Sequence, residues 1–185
     1  MLGGVQKRGF NSVIVQMPVM SNIEFSYDMI SPLVDADGLN PVSHITPATV
    51  RGIIDYLDDC GFNYSGKSAL ILGRSDIVGK PMAKALLDKD MTVSMCHSKT
   101  DINTKLYLAR QADLVVSAVG NFTLTREACP YATVIDVGIR RNKAGTILGD
   151  FIEIDEIAER NNVWSTPVPG GVGLLTRLGL MKNCL

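Results

Sequence analysis

The sequence has no apolar run approaching the roughly 20 residues that a membrane-spanning helix needs. Its first residues, MLGGVQKRGFNS, contain no apolar stretch of signal-peptide type, so a cytoplasmic location is expected. Charge is balanced: 18 Lys and Arg face 19 Asp and Glu, net -1, which offers nothing to draw the chain to nucleic acid or an anionic membrane. Histidine occurs twice, and the four cysteines, Cys60, Cys96, Cys129 and Cys184, are scattered without C-x-x-C spacing. The expectation is therefore no metal site and reduced, packing cysteines. No repeat or low-complexity tract is visible. What the chain does have is apolar content, 46% of 185 residues, enough to bury one good core and part of a second.

The most informative stretch is SALILGRSDIVGKP, Ser68 to Pro81. A short apolar run, Ala69-Leu70-Ile71-Leu72, stops at Gly73, and Lys80-Pro81 opens the helical pattern PMAKALLDKD. A strand feeding a helix leaves backbone N–H groups exposed at the helix start, a ready seat for phosphate. Gly73 permits a tight turn and Gly79 close packing of helix on strand. The pattern is G-x-S-x-x-x-G, with Ser75 where a dinucleotide fingerprint has a second glycine. On spacing alone an ordinary strand-to-helix turn is as good a reading.

Elsewhere, Ser12–Met17 reads as a buried strand stopped by Pro18, with Gln16 either a hydrogen-bonded edge residue or a functional one. Ser26–Leu33 reads as a short helix closed by Pro32, and VDADGLNP as a solvated turn holding Asp35 and Asp37. Thr46 is expected to cap a helix that has Pro47 at its first position and Val50, Ile53, Ile54 and Leu57 on its apolar face, ending at Gly61. Strands are expected at Met91–Cys96, Leu114–Val119, Thr133–Val137 and, last and short, Val163-Trp164. Helical pieces are expected at Asp101–Arg110, Thr125–Ala128, Ile154–Arg160 and Leu174–Asn183. Continuous apolar strands alternating with helices predict an α/β chain: a Rossmann-like, doubly wound parallel sheet whose ligand sits beyond the strand C-termini.

Five segments taken together carry a resemblance: VIVQMPV, DADGLNP, GRSDIVGKPM with CHSKT downstream, VIDVGI with GD after it, and TPVPGGVG. In order and spacing the chain resembles the bifunctional methylenetetrahydrofolate dehydrogenase/cyclohydrolase family. The resemblance implies a folate-site domain, a dinucleotide domain and a cleft between them. It implies hydride transfer from 5,10-methylenetetrahydrofolate to an oxidised nicotinamide, then hydrolysis to 10-formyltetrahydrofolate. It divides the chain into 1-50, a remnant of the folate-site domain; 51-165, the NADP-binding Rossmann domain; and 166-185, a closing loop and C-terminal helix.

Carried over by position, Gly73, Arg74, Ser75, Gly79, Ser98 and Ile139 bind the cofactor. Gln16 and Asp37 are the catalytic positions, with Asp37 anchoring the pterin ring, and Pro169, Gly170 and Gly171 close over the substrate. NAD-preferring Rossmann domains place an acid after the second strand. Here that place reads Cys96-His97-Ser98-Lys99, and Arg74 with Ser98 match the positions that grip a 2′-phosphate, so NADP is expected. For Arg74 and Lys99 the competing reading is a pair of solvated surface cations.

The chain departs from the family pattern in places. No Tyr-x-x-x-Lys motif is present, since Lys7 has Gly3 four residues before it. The family's Pro-Cys-Thr-Pro reads His44-Ile45-Thr46-Pro47, and a proline of the closing loop is Leu174. The expectation is weak dehydrogenase activity with the cyclohydrolase step impaired. The alternative is a non-catalytic NADP-binding module, or a gene fragment acting only through association with a partner. The family also implies a homodimer.

Overall fold

Apolar runs that recur between helical patterns become parallel strands stacked on both faces, and that rule organises this chain. The computed structural model describes residues 10–16, 24–120, 123–153 and 155–185. In chain order these contain α1 (Ala48–Asp59), β1 (Ser68–Leu72), α2 (Gly79–Leu87), β2 (Thr92–Cys96), α3 (Ile102–Gln111), β3 (Leu114–Ser117), β4 (Leu124–Thr125) and β5 (Thr133–Asp136). Then follow β6 (Arg140–Arg141), β7 (Ile147–Leu148), β8 (Phe151–Ile152), α4 (Asp155–Asn161) and α5 (Val172–Asn183). The main sheet has the order β2-β1-β3-β5, all parallel. This is the expected doubly wound α/β fold.

Side chains alternate across that sheet, as strand geometry requires. Ala69, Ile71, Leu114, Val116 and Ile135 face a core shared with Val50, Ile53 and Leu57 of α1 and Met82 and Leu86 of α2. Leu70, Leu72, Val115 and Val134 face the opposite core with Cys96, Ala109 and Cys129. Burying both faces is why these strands read as unbroken hydrophobic runs.

Helices α1 and α5 meet through glycine. A Cβ on Gly52 would lie 2.0 Å from the carbonyl oxygen of Leu175, and one on Gly179 would lie 2.0 Å from that of Ala48. Beside this contact the Asn183 amide donates to the carbonyls of Ala36 (2.9 Å) and Thr46 (3.0 Å), tying the C-terminal helix to the segment that precedes α1.

Several local expectations resolve differently. Of Ser12–Met17, only Val13 pairs, in a single parallel bridge to Asp35, while Met17 and Pro18 lie outside the described residues. Ser26–Leu33 yields one 3-10 turn, Tyr27–Met29, because Pro32 disfavours helical backbone at the residue before it. Thr46 makes no cap. The Ala48 N–H is taken by the Asp37 carbonyl (3.0 Å) and the Arg51 N–H by that of Pro47 (2.9 Å), so backbone satisfies the start of α1. Helix α2 opens at Gly79, which places Pro81 inside its first turn.

Val163-Trp164 is not a strand: Ser165 alone bridges to Val134. The two-residue strands β4, β6, β7 and β8 went unread because two residues carry no periodicity. The expected helical piece at Thr125–Ala128 is a 3-10 turn, Arg126–Ala128. Its Arg126 is wholly buried, paired with both carboxylate oxygens of Glu153 (2.7 and 2.8 Å), and donates to the Cys129 and Ala132 carbonyls. Paired and hydrogen-bonded in this way, a guanidinium can be buried.

Candidate dinucleotide-binding site

The strand order fixes where a crevice opens. From β1 the chain winds to β2 on one side, and β3 and β5 lie on the other, so the carboxyl ends of β1 and β3 flank a topological switch point. At this place Gly73 turns the chain with φ 119°. Its N–H donates to the Cys96 carbonyl at 2.8 Å, and a Cβ there would meet the Ala118 carbonyl oxygen at 2.9 Å. A Cβ on Gly79 would lie 2.5 Å from the Gly73 carbonyl oxygen, so turn and helix start are in backbone contact. Both glycines are needed at the positions the sequence suggested.

Ser75 works inside this turn. Its Oγ accepts the N–H groups of Val78 (3.2 Å) and Gly79 (3.4 Å), and its carbonyl accepts that of Lys80 (3.0 Å). A second glycine would leave those amides without that acceptor, which gives the serine a physical reason to stand there. Arg74 is exposed and, among the described residues, makes no hydrogen bond or ion pair.

Arg74 and Ser98 come from neighbouring strand ends. Leu72 and Cys96 are register partners, and each of the two residues lies two positions beyond its own member of that pair. The turn bearing Ser98 is held locally: the Thr100 Oγ1 accepts the His97 N–H (3.0 Å), and His97 Nδ1 accepts the Lys99 N–H (3.1 Å). The first acid after β2 is Asp101, and its Oδ2 caps α3 by accepting the Asn103 and Thr104 N–H groups at 2.8 and 3.1 Å. The residues between the end of β2 and Asp101, His97 to Thr100, include no carboxylate to meet ribose hydroxyls.

Sequence reasoning assigned no role to the two carboxylates at the other half of the edge. Ser117 and Asp136 are register partners ending β3 and β5. Asp136 accepts the N–H groups of Gly138 (3.0 Å) and Phe151 (2.8 Å). Burial pushes its carboxyl above the ordinary range, with nearby Asp150 adding to the effect. Asp150, itself 0% exposed, accepts with Oδ2 from Ser117 Oγ (2.9 Å), Val119 N–H (2.9 Å) and Gly120 N–H (3.0 Å). The signal available was an acid closing an apolar strand, TVID, and a second acid after glycine, both within segments that carried the resemblance. Ile139 lies between these groups, 65% exposed at the rim, with its carbonyl oxygen 3.6 Å from where a Gly120 Cβ would be.

The loop of Pro169, Gly170 and Gly171 leaves from the same edge. Thr166 is hydrogen-bonded to β5 twice: its N–H donates to the Val134 carbonyl (2.9 Å), and its Oγ1 accepts the Asp136 N–H (2.8 Å). Beyond it the Val168–Pro169 peptide is cis and Gly170 has φ 99°; both Pro169 and Gly170 are exposed.

Gln16 and Asp37 belong to a different part of the chain, where Val13 and Asp35 form a single parallel bridge. Gln16 lies three residues beyond Val13, and Asp37 two beyond Asp35. Asp35 is no solvated turn residue: it is fully buried and accepts the N–H groups of Gly38 (3.1 Å) and Asn40 (2.7 Å). It shapes the turn that presents Asp37, which is half-buried. Burial first, and Asp35 second, raise the Asp37 carboxyl from its ordinary value. The backbone of Asp37 is bonded to Ala48 at the start of α1, not to the strand-end set.

Residues 47–185 match the family model described as the tetrahydrofolate dehydrogenase/cyclohydrolase NAD(P)-binding domain. The chain belongs to that family. It is 41% identical to a bifunctional protein FolD of Lactobacillus gasseri over 97% of this chain and 67% of the relative. Among solved structures, the bifunctional FolD enzyme of Campylobacter jejuni superposes with a TM-score of 0.83 at 34% identity, over 94% of this chain and 65% of that one. The Trypanosoma brucei enzyme, solved with NADP and an inhibitor, gives 0.80 at 32% identity over the same shares. The chain thus spans about two thirds of the length of these relatives. Among the described residues, no helix is long and apolar enough to cross a membrane, and no group of three or more His, Cys, Asp or Glu is placed to hold a metal ion.

The family's dinucleotide fits this edge on structural grounds. Gly73 and Gly79 form a cradle that any Cβ would fill, Ser75 holds the amides of Val78, Gly79 and Lys80 within the turn, and the guanidinium of Arg74 stands exposed two residues beyond the strand end that pairs with Cys96.

Proposed function

We propose that this chain binds NADP at the carboxyl edge of its sheet and, with a folate held toward Asp37, oxidises 5,10-methylenetetrahydrofolate to the methenyl form. The observation that supports the reading is that Arg74 and Ser98 each follow by two residues one of the register partners Leu72 and Cys96, with the first acid after β2, Asp101, engaged in capping α3. A fork-shaped cation and a hydroxyl suit a 2′-phosphate and leave ribose hydroxyls without a carboxylate partner. Bound nicotinamide supplies the hydride acceptor.

The chain's own residues then have distinct tasks. Gly73, Ser75 and Gly79 shape the turn for the diphosphate, and Ile139 lies at the rim by the nicotinamide side. Asp37 offers acceptor oxygens to the N–H edge of a pterin, Gln16 is the second catalytic position, and Pro169, Gly170 and Gly171 form the loop that covers the reacting rings. Aligning two rings supplies much of what hydride transfer needs. We read residues 51–165 as the dinucleotide unit, 166–185 as closing loop and helix, and 1–50 as folate side. The same reading takes the chain to be a cytoplasmic homodimer, and β2, with an unpaired outer edge among the described residues, offers a surface for pairing. A spectrophotometric assay tests the activity: NADPH should accumulate with methylenetetrahydrofolate and NADP+, and far less with NAD+. Equal rates with both dinucleotides would refute the cofactor assignment.

A further inference from the structure

A wholly buried carboxylate with one oxygen taking three donors and the other taking none is an unusual fixture. Asp150 Oδ2 accepts from Ser117 Oγ, Val119 N–H and Gly120 N–H, while Oδ1 has no hydrogen-bond partner among the described residues. It is also the wall against which Gly138 packs, since a Cβ there would lie 2.2 Å from the carboxyl carbon. One side chain therefore sets the backbone after β3 and the backbone after β5 together. Leaving a buried oxygen unpaired is destabilising, so a group that served stability alone would be poorly placed here.

What these two loops border follows from the topology. The Arg74 and Ser98 side of the edge takes the 2′-phosphorylated adenosine, and a dinucleotide crossing the switch point must lay its other half beyond β3 and β5. The anchored loop even touches the phosphate turn, through the Ala118 carbonyl beside Gly73.

We propose that Asp150 is a positioning residue for the nicotinamide half of the cofactor, acting through the main chain of Val119-Gly120 and Gly138-Ile139. This rests on the NADP reading above. Calorimetric titration of Asp150→Asn, Asp150→Ala and Ser117→Ala with two ligands tests it: whole NADP+, and adenosine 2′,5′-bisphosphate, which lacks the nicotinamide half. Asp150→Ala should weaken NADP+ at least tenfold while the bisphosphate stays within twofold. Asn, which keeps one acceptor oxygen and the volume, should restore part of the loss, and Ser117→Ala, which removes one of three donors, should show the smaller form of the same selective loss. Parallel weakening of both ligands, or no change in either, would overturn the proposal and leave Asp150 a fold residue. A wild type that binds the bisphosphate as tightly as NADP+ would also overturn it, with the 2′-phosphate site intact. A wild type that binds neither would overturn the cofactor reading beneath it as well. Should Asp150→Ala fail to fold, the Asn and Ser117 variants decide.

Discussion

The carbonyl oxygen of Gly73 occupies the space a side chain on Gly79 would need, 2.5 Å from where its Cβ would sit. Gly79 is also 2.9 Å, by the same measure, from the Arg74 Cα, so the phosphate turn and the first turn of α2 cannot separate without moving the arginine. Strand, turn and helix form one unit whose shape depends on the missing Cβ.

Gly79→Ala should therefore act on the site first. Overpacking of this kind costs about 1–3 kcal/mol, and the displaced backbone carries Arg74 with it. NADP+ affinity should fall tenfold or more, with a lower Tm. Gly173→Ala is the contrasting variant: a Cβ there meets nothing within 4 Å, and its Tm should hold or rise slightly. Calorimetry and thermal melts check both.

Arg74→Ala should cost NADP+ about 10- to 100-fold in affinity, from the loss of about 1.5–3 kcal/mol of charge-assisted hydrogen bonding, and leave NAD+ nearly unchanged. Ser98→Asp should push the preference further, toward NAD+, by placing a carboxylate where ribose hydroxyls lie. Affinities for the two dinucleotides, measured on each variant, decide.

Much of this was legible in the sequence. Strands β1, β3 and β5 were readable as apolar runs because both their faces are buried, and Gly73 and Gly79 because only glycine fits contacts that close; the edge strand β2, Thr92–Cys96, is only partly buried. Asp35 was misread because acid-rich turns are mostly solvated, and nothing local says that this one is packed under Gly38 and Asn40. Asp136 and Asp150 were overlooked for another reason: Phe151 lies 15 residues from Asp136, and Ser117, Val119 and Gly120 lie 33, 31 and 30 residues from Asp150. The start of α1 was read one residue early, with Thr46 as its cap, since the donor that matters is satisfied by the Asp37 carbonyl, nine residues before Thr46.

The four cysteines should separate by reactivity. Cys60 and Cys184 are exposed and Cys96 and Cys129 buried. Burial raises the Cys96 thiol and pushes that of Cys129 up to about 12. A thiol reagent at mild alkaline pH should modify two groups in the folded chain and four in denaturant. For Cys129 the folded state holds its proton more tightly than the unfolded one, whose pKa is about 8.5. Its contribution is intact below about pH 8.5 and is lost as pH rises from there toward the folded value, so stability should decline across that alkaline window. Replacing Cys129 by alanine should remove its share of that slope in denaturant titrations.

The glycine contact between α1 and α5 should be intolerant of any side chain. Gly52→Ala and Gly179→Ala each bring a Cβ to 2.0 Å from a backbone oxygen. Each should lower stability by about 1–3 kcal/mol or more, read as a drop in Tm, and the pair should be less than additive because either change already parts the helices.

These 185 residues contain no Tyr-x-x-x-Lys, and hydrolysis of a methenyl cation gains about 10²–10⁴-fold from general acid–base assistance. The chain as given should convert methenyl- to 10-formyltetrahydrofolate no faster than buffer does. A rate well above the spontaneous one would show that another group supplies the proton transfer.

The most direct test of the whole account is a calorimetric comparison of NADP+ and NAD+ binding to the folded chain. Heat of binding and an upward thermal shift with NADP+, at least tenfold tighter than NAD+ and equalised by Arg74→Ala, is the predicted result. A folded sample giving no heat and no shift with millimolar NADP+ would contradict it.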